Sequence, residues 1–171
     1  MNISAIRLFP LFAATAMLLM VPPPIQGADV NTASGTLTIQ SAHKPFKIDL
    51  THAYYIIRPD TYNIDKTIRS LVFTAADQRA AIEACEDTRC VELLTIDFLR
   101  LDLDDDPRLV SWAARIEPAS FSGGVAGSAL KLGTDSTNRL AGTLTMDAAG
   151  TKTAGTIQFD ASLVKTIVNP Q

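Results

Sequence analysis

The stretch FKIDLTHAYYII, residues 46–57, decides the fold class, because polar and apolar residues alternate along its first half. Alternation places one set of side chains on each side of an extended chain, which is the pattern of a half-buried β-strand. The preceding stretch SGTLTIQ, residues 34–40, has the same period, and the turn-forming sequence SAHKP separates the two. The sequence therefore predicts a β-hairpin, with its second strand either covered on both faces or bulged where residues 54–57 are all apolar.

Strand-like patterns separated by turn signals continue along most of the chain. They comprise IRSLVFT (68–74), VELLTIDFLRLDLD (91–104), LVSWAARI (109–116) and two alternating stretches at 140–146 and 157–163. Residues 118–135 are rich in Gly, Ser and Ala and give no clear prediction. About seven short strands joined by turns predict a mainly β fold, either an antiparallel β-sandwich or an open barrel.

One stretch departs from the two-residue period. TAADQRAAIEAC, residues 74–85, is rich in alanine, and Ile82 and Cys85 are spaced to share one face of a helix. Thr74 and Asp77 have the spacing of a capping box, with Asp in place of the usual Glu. We therefore expect one short α-helix over about residues 74–85.

The N-terminal residues 1–27 have the composition of a secretory signal peptide. One positive charge, Arg7, precedes an apolar run over residues 8–21. A membrane-spanning helix needs about 20 apolar residues, whereas prolines interrupt and end this run. We expect the segment to be cleaved, which leaves a single β-rich domain over residues 28–171 with no membrane span. The expected location is the periplasm or the exterior of a bacterium.

Composition and motifs narrow the classes of partner and chemistry. The formal net charge is −3, and no cluster of Lys and Arg supplies the basic surface that nucleic acid requires. Gly123, Gly124 and Gly127 are not followed by the Gly-Lys-Ser/Thr of a phosphate loop, and no Gly-x-Ser-x-Gly elbow is present. The sequence therefore predicts no nucleic-acid partner, no cofactor and no catalytic residue set.

Cys85 and Cys90 are the only two cysteines in the chain. Their spacing is not the Cys-x-x-Cys of a thioredoxin-like redox site. A zinc site needs about four ligands, and His43 and His52 are distant in the sequence. In the oxidising compartment that export implies, a disulfide between the two cysteines is the favoured interpretation. The predicted helix must then end near Cys85, because five residues of continuous helix would separate the Cα atoms by more than about 7 Å.

His52 is a candidate general base. By alternation it shares the inward face of its strand with Leu50 and Tyr54. An inward histidine is more often a core residue that bonds to backbone or to a carboxylate than a catalytic group. A hydrolase centred on His52 is therefore kept as an alternative function, and it requires a concave pocket with a second polar group beside the ring.

The sequence DLDDDP carries three alternating aspartates: Asp102, Asp104 and Asp106. Alternating carboxylates are the first ligands of a calcium loop. However, Pro107 stands where such a loop has its turn glycine, and Ala113 stands where it has its bidentate glutamate. We favour a solvated hairpin turn in which aspartates bond to backbone N–H groups, and keep calcium-dependent adhesion or stability as a second alternative.

The order of these elements resembles that of a group of uncharacterised exported bacterial proteins. The resemblance is carried by the GTL strand, by LTHAYYI (50–56) with the Arg-Pro loop after it, and by FDASLV (159–164). Tyr55 stands where the group has a second alanine, and the cysteine pair is an addition. The resemblance implies an all-β periplasmic domain and brings no established activity.

The function that these patterns favour is that of a non-catalytic exported envelope protein. Its partner would be an unidentified envelope protein or a small molecule. The basis is a core pattern that is ample for one domain, without an assembled set of catalytic residues.

Overall fold

The computed structural model of the chain describes residues 31–60, 63–86, 89–147 and 152–168. For Cys90 and Leu93 the backbone alone is described. The predicted signal peptide, residues 1–27, lies outside these ranges. Within them, no helix is long and apolar enough to cross a membrane.

Within the described residues the chain forms ten β-strands and two short helices. The strands are β1 (Asn31–Gln40), β2 (Pro45–Leu50), β3 (His52–Pro59), β4 (Thr67–Thr74), β5 (Phe98–Leu103), β6 (Leu109–Ile116), β7 (Ala119–Gly123), β8 (Ser128–Asp135), β9 (Arg139–Met146) and β10 (Thr153–Thr166). The helices are α1 (Arg79–Ala84) and α2 (Cys90–Leu93). The strands are hydrogen-bonded in one system that is not closed into a ring. This confirms the predicted mainly β fold of sandwich or open-barrel type.

Strand β10 belongs to two sheets. Up to Ser162 it pairs antiparallel with β1 on one side and β9 on the other. From Leu163 onward it pairs parallel with β3, and its register shifts at this point. The first sheet therefore has the strand order β2-β1-β10-β9-β8, and the second sheet has the order β10-β3-β4-β5-β6-β7.

The two sheets pack face to face around an inner core built from alternating residues of both. Its fully buried aliphatic members include Leu37, Leu50, Leu71, Leu99, Leu101, Leu140, Leu144 and Ile157. Phe73 of the second sheet meets Phe159 of the first edge to face, with ring centroids 5.5 Å apart. Phe46 and Phe121, on the edge strands β2 and β7, make a similar contact at 5.2 Å. Aromatic contacts therefore join the sheets both near the shared strand and at the open side.

The predicted strand over residues 46–57 is divided at Thr51 into β2 and β3, which lie in different sheets. The Thr51 backbone N–H donates to the Thr74 carbonyl (3.0 Å), and its hydroxyl donates to the Ala75 carbonyl (2.8 Å). Across this break the inward positions change from even to odd numbers, since Leu50 and then Ala53 face the inner core. The hairpin prediction is confirmed for β1 and β2, whereas the continuation of the second strand past Leu50 was wrong.

A second cluster, the outer core, lies on the face of the second sheet that points away from the first. It contains Tyr54, Ile56, Val72, Ile82, Val91, Leu94, Phe98 and Ile167. Helix α1 contributes Ile82 and helix α2 contributes Val91, so the two helices cover this part of the sheet. The prediction that the strand is covered on both faces at residues 54–57 is confirmed.

The predicted helix over about residues 74–85 is shorter in the structure, because α1 begins at Arg79. Thr74 is the last residue of β4, and its hydroxyl donates to the Ala76 carbonyl (2.7 Å) instead of capping a helix. The N-cap is Gln78, which makes no side-chain capping bond. Cross-strand pairing of Thr74 in the sheet therefore overrides the capping-box pattern.

The predicted strand over residues 91–104 is also shorter. Its first part forms α2, a single helical turn, and β5 begins at Phe98. Val91 and Leu94 are three residues apart, which places both on one side of a turn, and both are buried in the outer core. Packing against the second sheet therefore selects a helical turn where the apolar sequence also fits a strand.

Helix α1 ends where the predicted Cys85–Cys90 disulfide requires it to end. Helix α1 ends at Ala84, and Cys85 is extended with φ −79° and ψ 135°. Helix α2 then starts at Cys90. The Cys90 side chain lies outside the description, so the Cys85–Cys90 disulfide stays a prediction.

We expect Gly142→Ala to destabilise the protein by about 1–3 kcal/mol, the usual cost of overpacking. A Cβ atom on Gly142 in β9 would lie 2.1 Å from the Lys131 carbonyl oxygen of β8, which is backbone and cannot rotate away. Gly124→Ala is the matched control, because a Cβ there meets nothing within 4 Å. Urea unfolding of both variants checks this, and equal midpoints would contradict the close β8–β9 approach.

Candidate functional site

The candidate site lies on the outer face of the second sheet, beside the part that the helices cover. Here three polar side chains are almost completely buried, namely Arg58 on β3, Ser70 on β4 and Asp102 on β5. Ser70 lies directly opposite Asp102 in the β4–β5 pairing, and Asp102 lies opposite Ser111 of β6. The strand register therefore places a row of polar side chains across three neighbouring strands.

The Asp102 carboxylate is the centre of this row, because it accepts from four side chains. Its Oδ1 atom accepts from Arg58 Nη2 at 2.9 Å and from Ser70 Oγ at 2.8 Å. Its Oδ2 atom lies 3.1 Å from Arg100 Nη2 and accepts from Ser111 Oγ at 3.3 Å. Both oxygens of a buried carboxylate are thus satisfied, as a buried charge requires.

Besides its pair with Asp102, the Arg58 guanidinium donates hydrogen bonds to a serine hydroxyl and to a backbone carbonyl. Its Nε donates to Ser70 Oγ at 3.0 Å, and its Nη1 donates to the Pro59 carbonyl at 3.3 Å. The guanidinium is therefore fixed in position by the sheet itself.

Arg100 connects the row to the covering helices. Its guanidinium pairs with the Glu92 carboxylate of α2 as well as with Asp102. The Arg100 side chain is 12% exposed, whereas that of Glu92 is 40% exposed. Glu92 is therefore the solvent-facing member of an otherwise buried charge network.

This network forms one wall of an open concavity of about 470 Å³, which we call the arginine cleft. Arg58, Arg100, Asp102, Glu92 and Asp60 supply its charges. A second concavity of about 310 Å³ adjoins it, and the two share Glu92, Ala113 and Ser122 as lining residues. The shared residues on β6 and β7, Ala113 and Ser122, have small side chains, which leaves room for a ligand where the two concavities meet.

The lining of the arginine cleft includes five charged side chains and neither His nor Cys. It offers guanidinium donors, carboxylate acceptors and serine hydroxyls around one space. Such a set can recognise a polar ligand of defined shape.

The three aspartates of the acidic turn do not converge. Asp102 lies in the network, while Asp104 accepts from the Arg108 backbone N–H at 2.9 Å. Asp104 and Asp106 also pair with the exposed Arg108 guanidinium, at 3.4 Å and 3.6 Å. Within the described residues no group of three His, Cys, Asp or Glu side chains could hold a metal ion. The geometry of Asp104 is that of a turn in which the carboxylate bonds to backbone.

His52 does not lie where the alternation predicted. The break at Thr51 places it on the outer face with Tyr54, and not on the inward face with Leu50. Its ring is half-buried and stacks on Tyr54 with centroids 6.4 Å apart, and its Nδ1 lies 2.9 Å from the Thr51 hydroxyl. His52 is not among the residues that line the two concavities described above. The hydrolase alternative therefore has no support from these cavities and stays a hypothesis.

Tyr54 fixes the start of α1 to the sheet. Its hydroxyl donates to Asp77 Oδ1 at 2.7 Å and accepts from the Gln78 backbone N–H at 2.7 Å. Burial raises the pKa of Tyr54 from 10.0 to about 12. The pKa of Asp77 is lowered, first by the backbone N–H of Arg79 and then by the Tyr54 hydroxyl. Burial of Tyr54 and its hydrogen bond to Asp77 therefore make the protonated tyrosine and the ionised aspartate the stable pair.

Sequence reasoning did not single out Arg58 or Arg100. Composition predicts a loop at Arg58 and Pro59, whereas both residues lie in β3. A signal was present in β5, FLRLDL, where Arg100 and Asp102 occupy successive positions on one face while leucines occupy the other. When a strand lies between two other strands, two opposite charges on the same face of it indicate a buried ion pair.

We expect Asp102→Ala to destabilise the protein by about 3–5 kcal/mol, because it leaves buried guanidinium groups without their shared carboxylate. Asp106→Ala is the control from the same acidic turn. Its pair with Arg108 is exposed, so a change within about 0.5 kcal/mol is expected. Denaturant unfolding measures both, and equal losses would contradict the assignment of Asp102 to a buried network.

We expect the free energy of unfolding to fall as pH rises from 10 towards 12, in part because of Tyr54. Its folded pKa lies above the unfolded value, so the contribution is complete below pH 10 and is lost as pH rises through about 12. Tyr54→Phe should reduce the slope of this part of the profile. A smaller slope should remain, because burial also raises the pKa of Tyr55. Urea unfolding at several alkaline pH values tests this, and identical slopes for variant and wild type would disprove it.

No family model, no curated protein and no solved structure matches the chain.

Proposed function

We propose that the protein is an exported, non-catalytic envelope protein that binds a small polar ligand in the arginine cleft. The observation that supports this proposal is the charge network of Arg58, Arg100 and Asp102 along the wall of an open concavity.

A purely structural role explains this network poorly. Burying charges carries a desolvation cost, and apolar residues of similar size often stabilise a fold as well or better. The same sheet face provides the comparison, because its neighbouring part is apolar and is covered by α1 and α2. The polar part is left open instead, and the small side chains of Ala113 and Ser122 keep it accessible. Charges fixed along the wall of an open concavity suit ligand recognition.

Export and the disulfide belong to the same proposal. The segment between α1 and α2 carries the predicted Cys85–Cys90 bond, and Glu92 follows it in α2. A bond across this segment would limit the positions that α2 can take over the sheet. In an oxidising compartment the disulfide would then fix the side of the cleft that α2 forms, and a larger hydrophobic core would not be needed for this.

The test is a nuclear magnetic resonance titration of isotope-labelled protein purified from the envelope of an expressing bacterium. The titrant is the protein-free small-molecule fraction of an envelope extract. We expect backbone amide shifts at Ser111, Ala113 and Ser122. Shifts confined to the first sheet, or none, would contradict the proposal.

Ser122→Trp provides the matched variant, because it fills the space where the two concavities meet. The control is Thr145→Trp, an exposed strand position on the first sheet. The Ser122 variant should lose the shifts and the Thr145 variant should keep them. Retention of the shifts in both would place the ligand elsewhere.

A further inference from the structure

We propose that the ligand carries a carboxylate, and that this carboxylate takes the place of Glu92 on Arg100. The inference rests on the proposed function, since it specifies what the arginine cleft binds.

Exposure identifies Glu92 as the exchangeable member of the network. The side chains of Arg58, Asp102 and Arg100 are 3%, 6% and 12% exposed, whereas Glu92 is 40% exposed. A carboxylate that is already partly hydrated loses less on release than a buried one does. The other members have no comparable route to solvent.

The secondary structure that carries each residue of the network also indicates that Glu92 is the one that can be exchanged. Arg58, Asp102 and Arg100 project from β3 and β5, whose backbones are fixed by sheet pairing. Glu92 projects from a single helical turn that is held by the burial of its neighbour Val91. The Glu92 side chain can rotate towards solvent without breaking a backbone bond or moving Val91 out of the outer core.

Glu92 also stands where the two concavities meet, since it lines both. Its departure from Arg100 would join them into one groove. The carboxylate of a ligand on Arg100 would then lie at the junction, and the rest of the ligand could extend over the small side chains of β6 and β7. The groove could therefore hold an acid larger than the side chain it replaces.

The charged residues that line the two concavities favour an anionic ligand. The two concavities are lined by three cations, Arg58, Arg100 and Arg115, and by three anions, Asp60, Glu92 and Asp102. With Glu92 turned to solvent the groove has a formal charge of +1, which one carboxylate neutralises. A neutral or cationic ligand would leave that charge unbalanced in a partly desolvated site. The planar guanidinium of Arg100 also fits a carboxylate in geometry.

The experiment is chemical rescue with acetate, which replaces the carboxylate that Glu92→Ala removes. The variant should have a lower midpoint of thermal unfolding than the wild type. Sodium acetate should raise the midpoint of the variant more than that of the wild type, because binding to the folded state alone stabilises it. Acetamide, and sodium chloride at the same ionic strength, should not reproduce the rise.

Two variants control for unspecific effects. Glu83→Ala removes an exposed partner of Arg79 on α1, and acetate should not rescue it selectively. Adding Arg100→Met to Glu92→Ala should abolish the acetate response. An equal response in all three variants, or no response in Glu92→Ala, would overturn the inference.

Glu92→Gln gives a second measurement if the alanine variant does not fold, because it keeps the side-chain length and removes the charge. Acetate titration followed at the Arg100 Nε–H resonance should give an affinity roughly tenfold tighter than in the wild type, the size of one hydrogen bond to a charged group. Equal affinities would contradict the exchange. Cleft shifts with the envelope extract and no acetate effect would retain the proposed function and reject the carboxylate.

Discussion

The structure depends on one strand that serves two sheets. The first part of β10 lies between β1 and β9, and its last part pairs with β3. Its alternating side chains enter the inner core, where Phe159 meets Phe73. Just beyond its end, Ile167 donates its backbone N–H to the Ile57 carbonyl and packs in the outer core. Because the backbone of β10 is continuous, it fixes the position of the second sheet relative to the first.

The second sheet uses its outer face in two different ways. Where Tyr54, Val72 and Phe98 point outward, the helices cover the face and apolar burial stabilises it. Where Arg58 and Asp102 point outward, the face carries charges, and the concavity beside them is open. The two regions meet at Arg100, whose guanidinium pairs with Asp102 in the sheet and with Glu92 in the covering layer. Arg100 therefore lies between a covered apolar region and an open concavity that is lined by charged side chains.

The fold class could be predicted from the sequence because a two-residue period is a local property of each strand. The period could not show that the chain changes sheets at Thr51, since bonds from Thr51 to the end of β4 cause the change. For the same reason His52 was placed on the wrong face. The charge network was missed because Arg58 and Asp102 are 44 residues apart, and pairing through β4 alone brings them together. Local patterns predict elements, whereas such sites arise from the register between strands.

A helix of one turn has little stability of its own, so α2 depends on its tertiary contacts. Val91 is buried in the outer core, and Arg115 donates to the Leu94 and Ile96 carbonyls just after the helix. None of these contacts involves the Glu92 side chain. If a carboxylate took the place of Glu92 on Arg100, as we propose, the burial of Val91 and the bonds of Arg115 would keep α2 in its position on the second sheet.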